Sequence, residues 1–324
     1  MTTRTPSADR DASWPSLTFA DWSDTYASLH MRTQIVGKTR LALAPMQNHW
    51  WQVALYLTSR GLTTSPMPYE ARTIEVEFDF FDHRLLVRAS DGTAGSMPLA
   101  PQAVADFYEE YLALLGGMGV EVRLWPVPVE IAGGIPFHED RQHVAYDGAA
   151  AQRCWRVLAH VDRVLKEFRG AFLGKCSPSH FWWGAFDIAC TRFSGQPAPR
   201  HPGGMPALAD WVTREAYSHA CISAGWWPGT AGMFEESAFY AYAYPEPAGC
   251  AEAPVRPGAA RYDVGMREWI LPYEAVRTAA DPDAALLDFL QSTYQAAATL
   301  GGWDRAALER HEFVGPTHAP AESP

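Results

Sequence analysis

The stretch "RTIEVEFDFFDHRLLVRASDG", residues 72–92, carries the clearest local pattern in the chain. Apolar and polar residues alternate over its first half, and the apolar set is Ile74, Val76, Phe78 and Phe80. This period of two is typical of a strand with one buried and one wetted face. The segment "FDHR" predicts a turn into a partner strand from Leu85 to Arg88. The stretch therefore predicts an antiparallel hairpin.

Apolar residues at three- and four-residue spacing predict three long helices in the rest of the chain. They cover 101–115, about 148–170, and the segment "DPDAALLDFLQSTYQAAATLGG", residues 281–302. Gly116-Gly117 ends the first of these helices, and Asp281 or Asp283 lies near the start of the last.

Further strands are predicted on both sides of the middle helix. Their residues are mostly apolar, aromatic or β-branched, and Pro/Gly-rich loops separate several of them. The segment at 49–59 fits either a strand or a helix, and two prolines make 120–131 an edge strand. The predicted strand segments are 33–44, 49–59, 120–131, 180–193, 216–227, 238–247 and 267–276.

These elements predict an α+β fold of two similar halves, each a mainly antiparallel sheet closed by a C-terminal helix. The halves are 14–144 and 145–310, and flexible tails are predicted at 1–13 and 311–324.

A weak internal repeat accompanies this division. Each half contains a Gly-Lys pair, a proline, a histidine and a Trp-Trp pair, followed by a threonine and a glycine. One interpretation is an internal duplication, in which 33–115 superposes on 172–300. The matching positions are Trp50, Trp51, Thr58 and Gly61 in the first half, and Trp182, Trp183, Thr191 and Gly195 in the second.

Composition narrows the class of protein. The 324 residues are 48% hydrophobic and carry a net charge of -11, which disfavours a nucleic-acid binder that works by neutralising phosphates. No apolar run approaches the ~20 residues of a membrane-spanning helix, and the polar N-terminus lacks the apolar region of a secretory signal. Five cysteines without a CxxC pair favour reduced thiols. We therefore expect a cytoplasmic protein.

Lysine is rare in this chain. Of 26 basic residues only Lys38, Lys166 and Lys175 are lysines, and Lys38 and Lys175 each follow a glycine. A compact ammonium group and a flat guanidinium group are not interchangeable at a tight site. Lys38 and Lys175 are therefore candidate anion ligands, with chance placement on the surface as the alternative.

Several long motifs carry a family resemblance. The segments "GKCSPSHFWWGAFD", "TRFSG", "ISAGWWPG", "FYAYAYPEP", "TQIVGKTRLAL", "ALYLTSRGLTT" and "DRVLKEFR" resemble the bacterial family named domain of unknown function 5996. The resemblance covers about residues 14–308. It implies a soluble bacterial protein with a single architecture, and it supplies no activity, cofactor or catalytic residues.

Two histidines precede the Trp-Trp pairs and are central to the predicted site. If the halves pack against each other, His49 and His180 line one cleft, with Lys38 and Lys175 nearby. Imidazoles transfer protons, ammonium groups hold anions, and indole rings exclude water. The alternative is that the Trp pairs are core and the histidines cap strands. The predicted catalytic residues are His180, His49 and Asp187.

His180 and Asp187 are seven residues apart, which places them on opposite faces of a regular strand. They share a site only if His180 precedes the strand or a bulge occurs at Gly184.

Other residues are assigned to substrate binding because they offer aromatic surfaces with polar tips. In "FYAYAYPEP", residues 239–247, the tyrosines share one face of a strand, which is either a binding face or a protein interface. The predicted substrate-binding residues are Lys38, Lys175, Trp51, Trp183, His219, Trp226, Trp227, Tyr240 and Tyr242.

A metal site is the weakest of the three alternatives. The segment "FHEDRQH" supplies His138 and His143, but their spacing of five is not the four that places two ligands on one helical face. Cys176 follows Lys175, and a neighbouring cation lowers a thiol pKa, although buried inert cysteines are commoner.

The favoured function is a cofactor-independent enzyme that acts on a small anion in an aromatic cleft between the halves. One version is a natural-product tailoring step in which an amine closes a ring and expels a sulfate or phosphate. The alternatives are a non-catalytic module that binds a small molecule, a protein partner or a second copy, and a metal-dependent enzyme with histidine ligands.

Overall fold

The computed structural model describes residues 14–230 and 234–310. They form helices and two six-stranded antiparallel sheets, which confirms the predicted α+β class. The tails predicted to be flexible, 1–13 and 311–324, lie outside the described residues, so that prediction is untested.

The three predicted long helices are present. The helix predicted at 148–170 has those bounds, and the Asp147 carboxylate caps it by accepting from the amides of Ala149 and Ala150. Asp281 caps the last long helix in the same way. The described helices are α1 Phe19–Leu43, α2 Val104–Gly117, α3 Gly148–Gly170, α4 Asp210–Ala216, α5 Tyr273–Arg277, α6 Pro282–Leu300 and α7 Arg305–Leu308, with 3-10 helices at Asn48–Val53 and Phe137–Glu139.

The first sheet is built around the predicted hairpin. Its strands are β1 Tyr56–Leu57, β2 Gly61–Thr63, β3 Met67–Tyr69, β4 Arg72–Asp79, β5 Arg84–Ala89 and β6 Ala94–Pro98. Their order is β1-β2-β4-β5-β6. The strands β2 and β3 lie along the same edge of β4: β3 pairs with its first residues and β2 pairs with its last residues. The alternating residues Ile74, Val76 and Phe78 are fully buried, as the sequence predicts.

The second sheet has the order β7-β8-β9-β10-β12-β11. Its strands are β7 His180–Trp182, β8 Asp187–Pro197, β9 His219–Trp227, β10 Ala238–Tyr244, β11 Arg261–Asp263 and β12 Glu268–Pro272. Helices α3 and α6 pack on one face, where Ile188 and Cys190 are buried. We call the opposite face of this sheet the front face.

One backbone pairing joins the two sheets at their edges. Leu55, next to β1, exchanges both backbone hydrogen bonds with Phe181 of β7, at 2.9 and 3.0 Å. The pairing covers strand edges that would otherwise expose unpaired amides and carbonyls. Buried apolar residues of both halves form one continuous core. The site residues contributed by each half therefore meet at this junction.

Three of the strand predictions are wrong in informative ways. Residues 33–43 of the predicted strand 33–44 belong to α1, and because every residue from Ser28 to Arg40 is buried, this helix lacks the one-sided pattern that identifies a helix from sequence. Residues 120–131 form no strand, since Pro126 and Pro128 cannot donate to a ladder.

The segment 180–193 is not one strand but a hairpin, with a turn between Trp182 and Asp187. Residues 49–59 contain a 3-10 helix followed by β1.

The matching residues of the proposed repeat lie in different kinds of secondary structure. Gly37 and Lys38 are in a helix, whereas Gly174 and Lys175 precede a strand. Trp50 and Trp51 lie in a 3-10 helix, whereas Trp182 ends β7. Each sheet is followed by a helix, as predicted, but superposition of 33–115 on 172–300 stays a prediction.

The tight contact of Gly37 with Trp183 generates a stability prediction. A Cβ at Gly37 would lie 2.3 Å from the indole, and this indole donates to the Val53 carbonyl at 2.8 Å. We expect Gly37→Ala to lower the free energy of unfolding by about 1–3 kcal/mol in urea titrations, because the clash outweighs the better helix propensity of alanine.

Gly116→Ala is the matched control, because no atom lies within 4 Å of the added methyl group. It should leave stability unchanged or raise it by up to ~1 kcal/mol. Equal stability of the two variants would contradict the tight packing.

Candidate functional site

The front face of the second sheet carries most of the predicted site residues. His180 is paired with Ala189, and Trp182 with Asp187, so all four side chains project to the same side of the hairpin. The pairing of Ala189 with Gly225, and of Gly225 with Tyr240, extends this face across β9 and β10. The requirement for a bulge at Gly184 therefore disappears, because His180 and Asp187 lie on neighbouring strands.

We call one group of residues on this face the His180 cluster. Aromatic contacts hold it together: the His180 ring lies 5.6 Å from the Trp51 ring and 5.6 Å from the Tyr56 ring, and Trp51 lies 5.8 Å from His49. The Trp51 indole thus connects the two predicted catalytic imidazoles. The cluster consists of Arg40, His49, Trp51, Tyr56, Lys175 and His180.

His180 is buried without hydrogen bonds. It is 1% exposed, and neither ring nitrogen has a partner among the described residues. Burial, and then the positive charges of Arg40 and Arg169, lower the pKa of His180 to about 3. The imidazole is therefore neutral near pH 7. An unpaired buried polar group costs free energy, so this arrangement calls for a functional explanation.

His49 and Lys175 form the closest polar contact of the cluster. Lys175 Nζ lies 2.7 Å from His49 Nε2, and His49 Nδ1 lies 3.1 Å from the carbonyl oxygen of Ala216. Since that carbonyl can only accept, Nδ1 carries the proton and Nε2 accepts from the ammonium group. Burial, and then the charge of Lys175, lower the pKa of His49. The ammonium group keeps donors for a further ligand.

Arg40 brings a second cation to the cluster. Its Nε donates to the Gln52 carbonyl at 2.6 Å, and its guanidinium lies 5.3 Å from the centre of the Tyr56 ring. Within the described part of the chain, Nη1 has no hydrogen-bond partner. Burial lowers the pKa of Arg40. An incoming anion would satisfy the Nη1 donor.

The remaining neighbours are aromatic rings and one carboxylate, since Glu215 Oε1 accepts a hydrogen bond from the His49 amide at 3.1 Å. The Lys175 ammonium lies 5.1 Å from the Trp51 ring centre and 5.0 Å from that of Phe193. His219 meets His49 edge to face at 5.7 Å. A surface cavity of about 120 Å³ lies beside the cluster, lined by Tyr56, Leu57, Asp162, Lys166, Arg169, Pro178 and Ser179.

A second polar group, which we call the carboxylate cluster, consists of Glu130, Asp187 and Glu268. The Tyr240 hydroxyl donates to Asp187. Burial raises the pKa of Asp187 to about 8, and the negative charges of Glu130 and Glu268 act in the same direction. Burial also raises the pKa of each of these glutamates to about 7.

The two clusters share a face but do not touch through His180 and Asp187. These residues are diagonal neighbours, and sheet geometry separates their Cα atoms by roughly 8 Å. The Trp182 ring lies 4.9 Å from His180. Burial, and then the charges of Arg40 and Arg169, lower the pKa of His180, and Asp187 has no part in this shift. The predicted direct His180–Asp187 pair is therefore replaced by two adjacent subsites.

Several predicted binding residues lie elsewhere. The Lys38 ammonium lies 5.8 Å from Phe137 and 5.9 Å from Trp183, and burial lowers its pKa to about 8. Lys38 and Lys175 thus contact different aromatic rings and do not form the predicted pair. Trp226 is fully buried in the core against Tyr273, on the face opposite the site.

The other predicted aromatic residues lie near the carboxylate cluster. Trp227 stacks on Phe234 at 5.7 Å, and the hydroxyls of Tyr242 and Tyr217 are 2.8 Å apart. Both tyrosines assigned to substrate binding therefore take part in polar contacts, since Tyr240 bonds to Asp187.

Four residues of the two clusters were missed by sequence reasoning. Arg40 and Tyr56 lie within family motifs that indicate no particular chemistry, and Glu130 and Glu268 lie in segments predicted as strands on the basis of their apolar residues. The shortage of lysine identified Lys175, but the same signal cannot separate Arg40 from the many other arginines.

The histidines of the considered metal segment interact locally. His143 Nδ1 lies 2.7 Å from Asp140, and His138 lies 3.3 Å from Glu139. In residues 14–230 and 234–310, no three His, Cys, Asp or Glu side chains are grouped so as to hold a metal ion.

A family assignment supports the resemblance read from the motifs. Residues 14–310 match the model of the family of unknown function DUF5996, and the chain belongs to that family. Neither a curated protein nor a solved structure matches the chain significantly. Across the described residues, the helices are too short or too polar to cross a bilayer.

The raised pKa of Asp187 generates a pH prediction. The unfolded chain releases this proton near pH 4, but the native protein retains it up to about pH 8. Native stability should therefore fall as pH rises across that window, by on the order of 1–3 kcal/mol. The Asp187→Asn variant has no such proton to lose, so its stability should not fall in this way. The melting temperature of the variant minus that of the wild type should therefore become more positive from pH 5 to pH 9.

Tyr240→Phe serves as the comparison, because it removes a hydroxyl that favours the ionised carboxylate. This variant should retain or steepen the loss of stability with pH. Parallel pH profiles for wild type and Asp187→Asn would contradict the assignment.

The unpartnered imidazole generates a second prediction. His180→Phe keeps an aromatic ring against Trp51 and Tyr56 while removing two unsatisfied nitrogens, so we expect stability to rise by about 1–2 kcal/mol in denaturant titrations.

His30→Phe is the control, because this buried histidine bonds to the Gly184 carbonyl at 2.8 Å. The free energy of unfolding of this variant should fall by about 1–3 kcal/mol, since the substitution breaks a buried hydrogen bond. The prediction for His180 fails if both variants are destabilised alike.

Proposed function

We propose that this protein binds a small anionic molecule at the His180 cluster and acts on it as a cofactor-independent enzyme. The observation that carries the proposal is the buried imidazole of His180, whose two nitrogens lack partners beside the unpartnered Arg40 Nη1. Natural proteins rarely leave several buried polar groups unsatisfied at one place unless a ligand completes them.

Electrostatics favours an anion as this ligand. Arg40 and Lys175 contribute two cations to the cluster, and Arg169 adds positive potential at His180. Arg40 is buried, whereas Lys175 is exposed, so solvent screening is weakened around Arg40, which would hold a carboxylate, sulfate or phosphate group more strongly than an exposed cation does. The aromatic rings of Trp51, Tyr56 and Phe193 would exclude water from the remaining surface.

The hydrogen-bonding geometry suits an oxyanion. The Lys175 ammonium donates one hydrogen to His49 and retains two others, and Arg40 Nη1 is an available donor. Bound negative charge would also raise the pKa of His180, so His180 would become a donor when the ligand binds. Binding should therefore be accompanied by proton uptake.

The neighbouring carboxylate cluster supports a reaction that releases an anion. A carboxyl group whose pKa is near 7 or 8 is ionised in part of the molecules near pH 8 and can then take the proton of an ammonium group, and Asp187, Glu130 and Glu268 are such groups. The freed amine would attack a carbon atom of the same molecule. The new C–N bond forms as the C–O bond breaks, and the electron pair leaves with sulfate or phosphate.

In this version the His180 cluster stabilises the leaving group while it gains charge. The aromatic side chains keep water away from the reacting carbon, so ring closure is favoured over hydrolysis. Such a step is typical of natural-product tailoring.

Anion binding is tested first, with inorganic sulfate and phosphate in isothermal titration calorimetry at low salt. Lys175→Gln and Arg40→Gln should each weaken binding by roughly tenfold, the effect of losing one charge-assisted hydrogen bond. Arg141→Gln is the control, because Arg141 is exposed and pairs with Asp106. Equal affinity in all four proteins would refute the proposed site.

Catalysis is then tested with an amino-alkyl sulfate, by following released sulfate with ion chromatography. Sulfate release that requires both Lys175 and Asp187 would support the displacement reaction. Tight binding with the ester recovered unchanged would instead favour a non-catalytic binding module.

A further inference from the structure

Two cysteines on the hairpin that carries His180 lie in direct contact. The sulfur atoms of Cys176 and Cys190 are 3.4 Å apart. Cys176 pairs with Arg192 across the strands, and Cys190 lies two residues earlier on the same strand as Arg192, so the two cysteines are diagonal neighbours on one face. This geometry brings together thiols that are 14 residues apart in sequence.

We propose that Cys176 and Cys190 form a reversible disulfide and that this pair is an oxidant-responsive modification site. A disulfide needs a sulfur–sulfur distance of about 2.05 Å, so the sulfurs must approach by roughly 1.4 Å. The Cα atoms of diagonal neighbours are roughly 7–8 Å apart, slightly more than a disulfide spans, so a small shift of the strand must accompany rotation of the two side chains. The inference is independent of the function proposed for the His180 cluster.

The two thiols have different roles because their surroundings differ. Cys176 is partly exposed, whereas Cys190 is fully buried. The hydrogen bond from Cys190, and then the charges of Arg192 and Arg169, lower the pKa of Cys176. The same contact and burial raise the pKa of Cys190 well above its usual value. Cys176 therefore loses its proton more readily than Cys190 and is the more accessible of the two, so it is the thiol that meets the oxidant.

With a peroxide as oxidant, the Cys176 thiolate attacks one peroxide oxygen, the O–O bond breaks and hydroxide leaves. The resulting sulfenic acid is attacked by Cys190. The S–S bond forms as the S–O bond breaks, and the hydroxyl group leaves as water with the proton of Cys190. Two thiols supply the two electrons that reduce the peroxide, and a small dithiol reverses the reaction.

The other three cysteines provide internal controls. Cys154, Cys221 and Cys250 are buried, and burial raises the pKa of each thiol. In the described part of the chain, Cys176 and Cys190 are the only two cysteines whose sulfurs are in contact. Selective oxidation of one pair is therefore expected.

The test uses the reduced full-length protein, treated with one equivalent of hydrogen peroxide and analysed by intact and peptide mass spectrometry. We expect a loss of about 2 Da, a Cys176–Cys190 crosslinked peptide and full reversal by dithiothreitol. Cys250→Ser should behave in the same way. Five alkylatable thiols after oxidation, or a crosslink through another cysteine, would overturn the proposal.

Single variants separate the two roles. Cys190→Ser should stop the reaction at sulfenic acid on Cys176, which dimedone traps, whereas Cys176→Ser should show at least a tenfold slower reaction at its remaining thiols. Circular dichroism before oxidation establishes that each variant is folded. Dimedone labelling of Cys190 in Cys176→Ser at the wild-type rate would refute the assigned order.

Discussion

The backbone pairing of Leu55 with Phe181 is the constraint on which the site depends. It joins the edge of the first sheet to the edge of the second, next to Tyr56 on one side and His180 on the other. Because side chains of paired strands project together, this contact places Tyr56 against His180. Residues from both halves thereby form one cluster, and a continuous apolar core supports it from behind.

The front face combines the His180 cluster and the carboxylate cluster, and the polar side chains of both are costly to bury. At one end, cations surround a neutral histidine, and at the other, buried carboxyl groups retain protons at unusually high pH. Such opposed pKa shifts on neighbouring groups are typical of sites that bind charged molecules and move protons. Their cost must be offset by the core, which includes the tight packing of Trp183 on α1. The protein thus gives up stability on the face where we propose that it binds and converts an anion.

The hairpin at 174–195 links three features of the molecule. It carries Lys175 and His180 of the anion-binding proposal, Asp187 of the carboxylate cluster, and the contacting thiols. The front face presents the polar residues, while Cys190 and Arg192 project to the helical side, where Arg192 stacks on Phe168. Alternation along one strand therefore separates the proposed chemistry from the redox pair while keeping both within one rigid element.

The sequence by itself determined the elements whose signals are local. The 72–92 hairpin follows from alternation, α3 follows from helical spacing, and α6 follows from helical spacing and an aspartate near its start, because these patterns involve residues close together in the chain. It also identified His49, Lys175 and His180 as candidates. Only the tertiary structure decided that α1 is a helix, since complete burial removes its periodicity, and that Lys175 meets His49 across 126 residues while Lys38 does not. Contacts between distant segments depend on strand pairing and core packing, which no local pattern encodes.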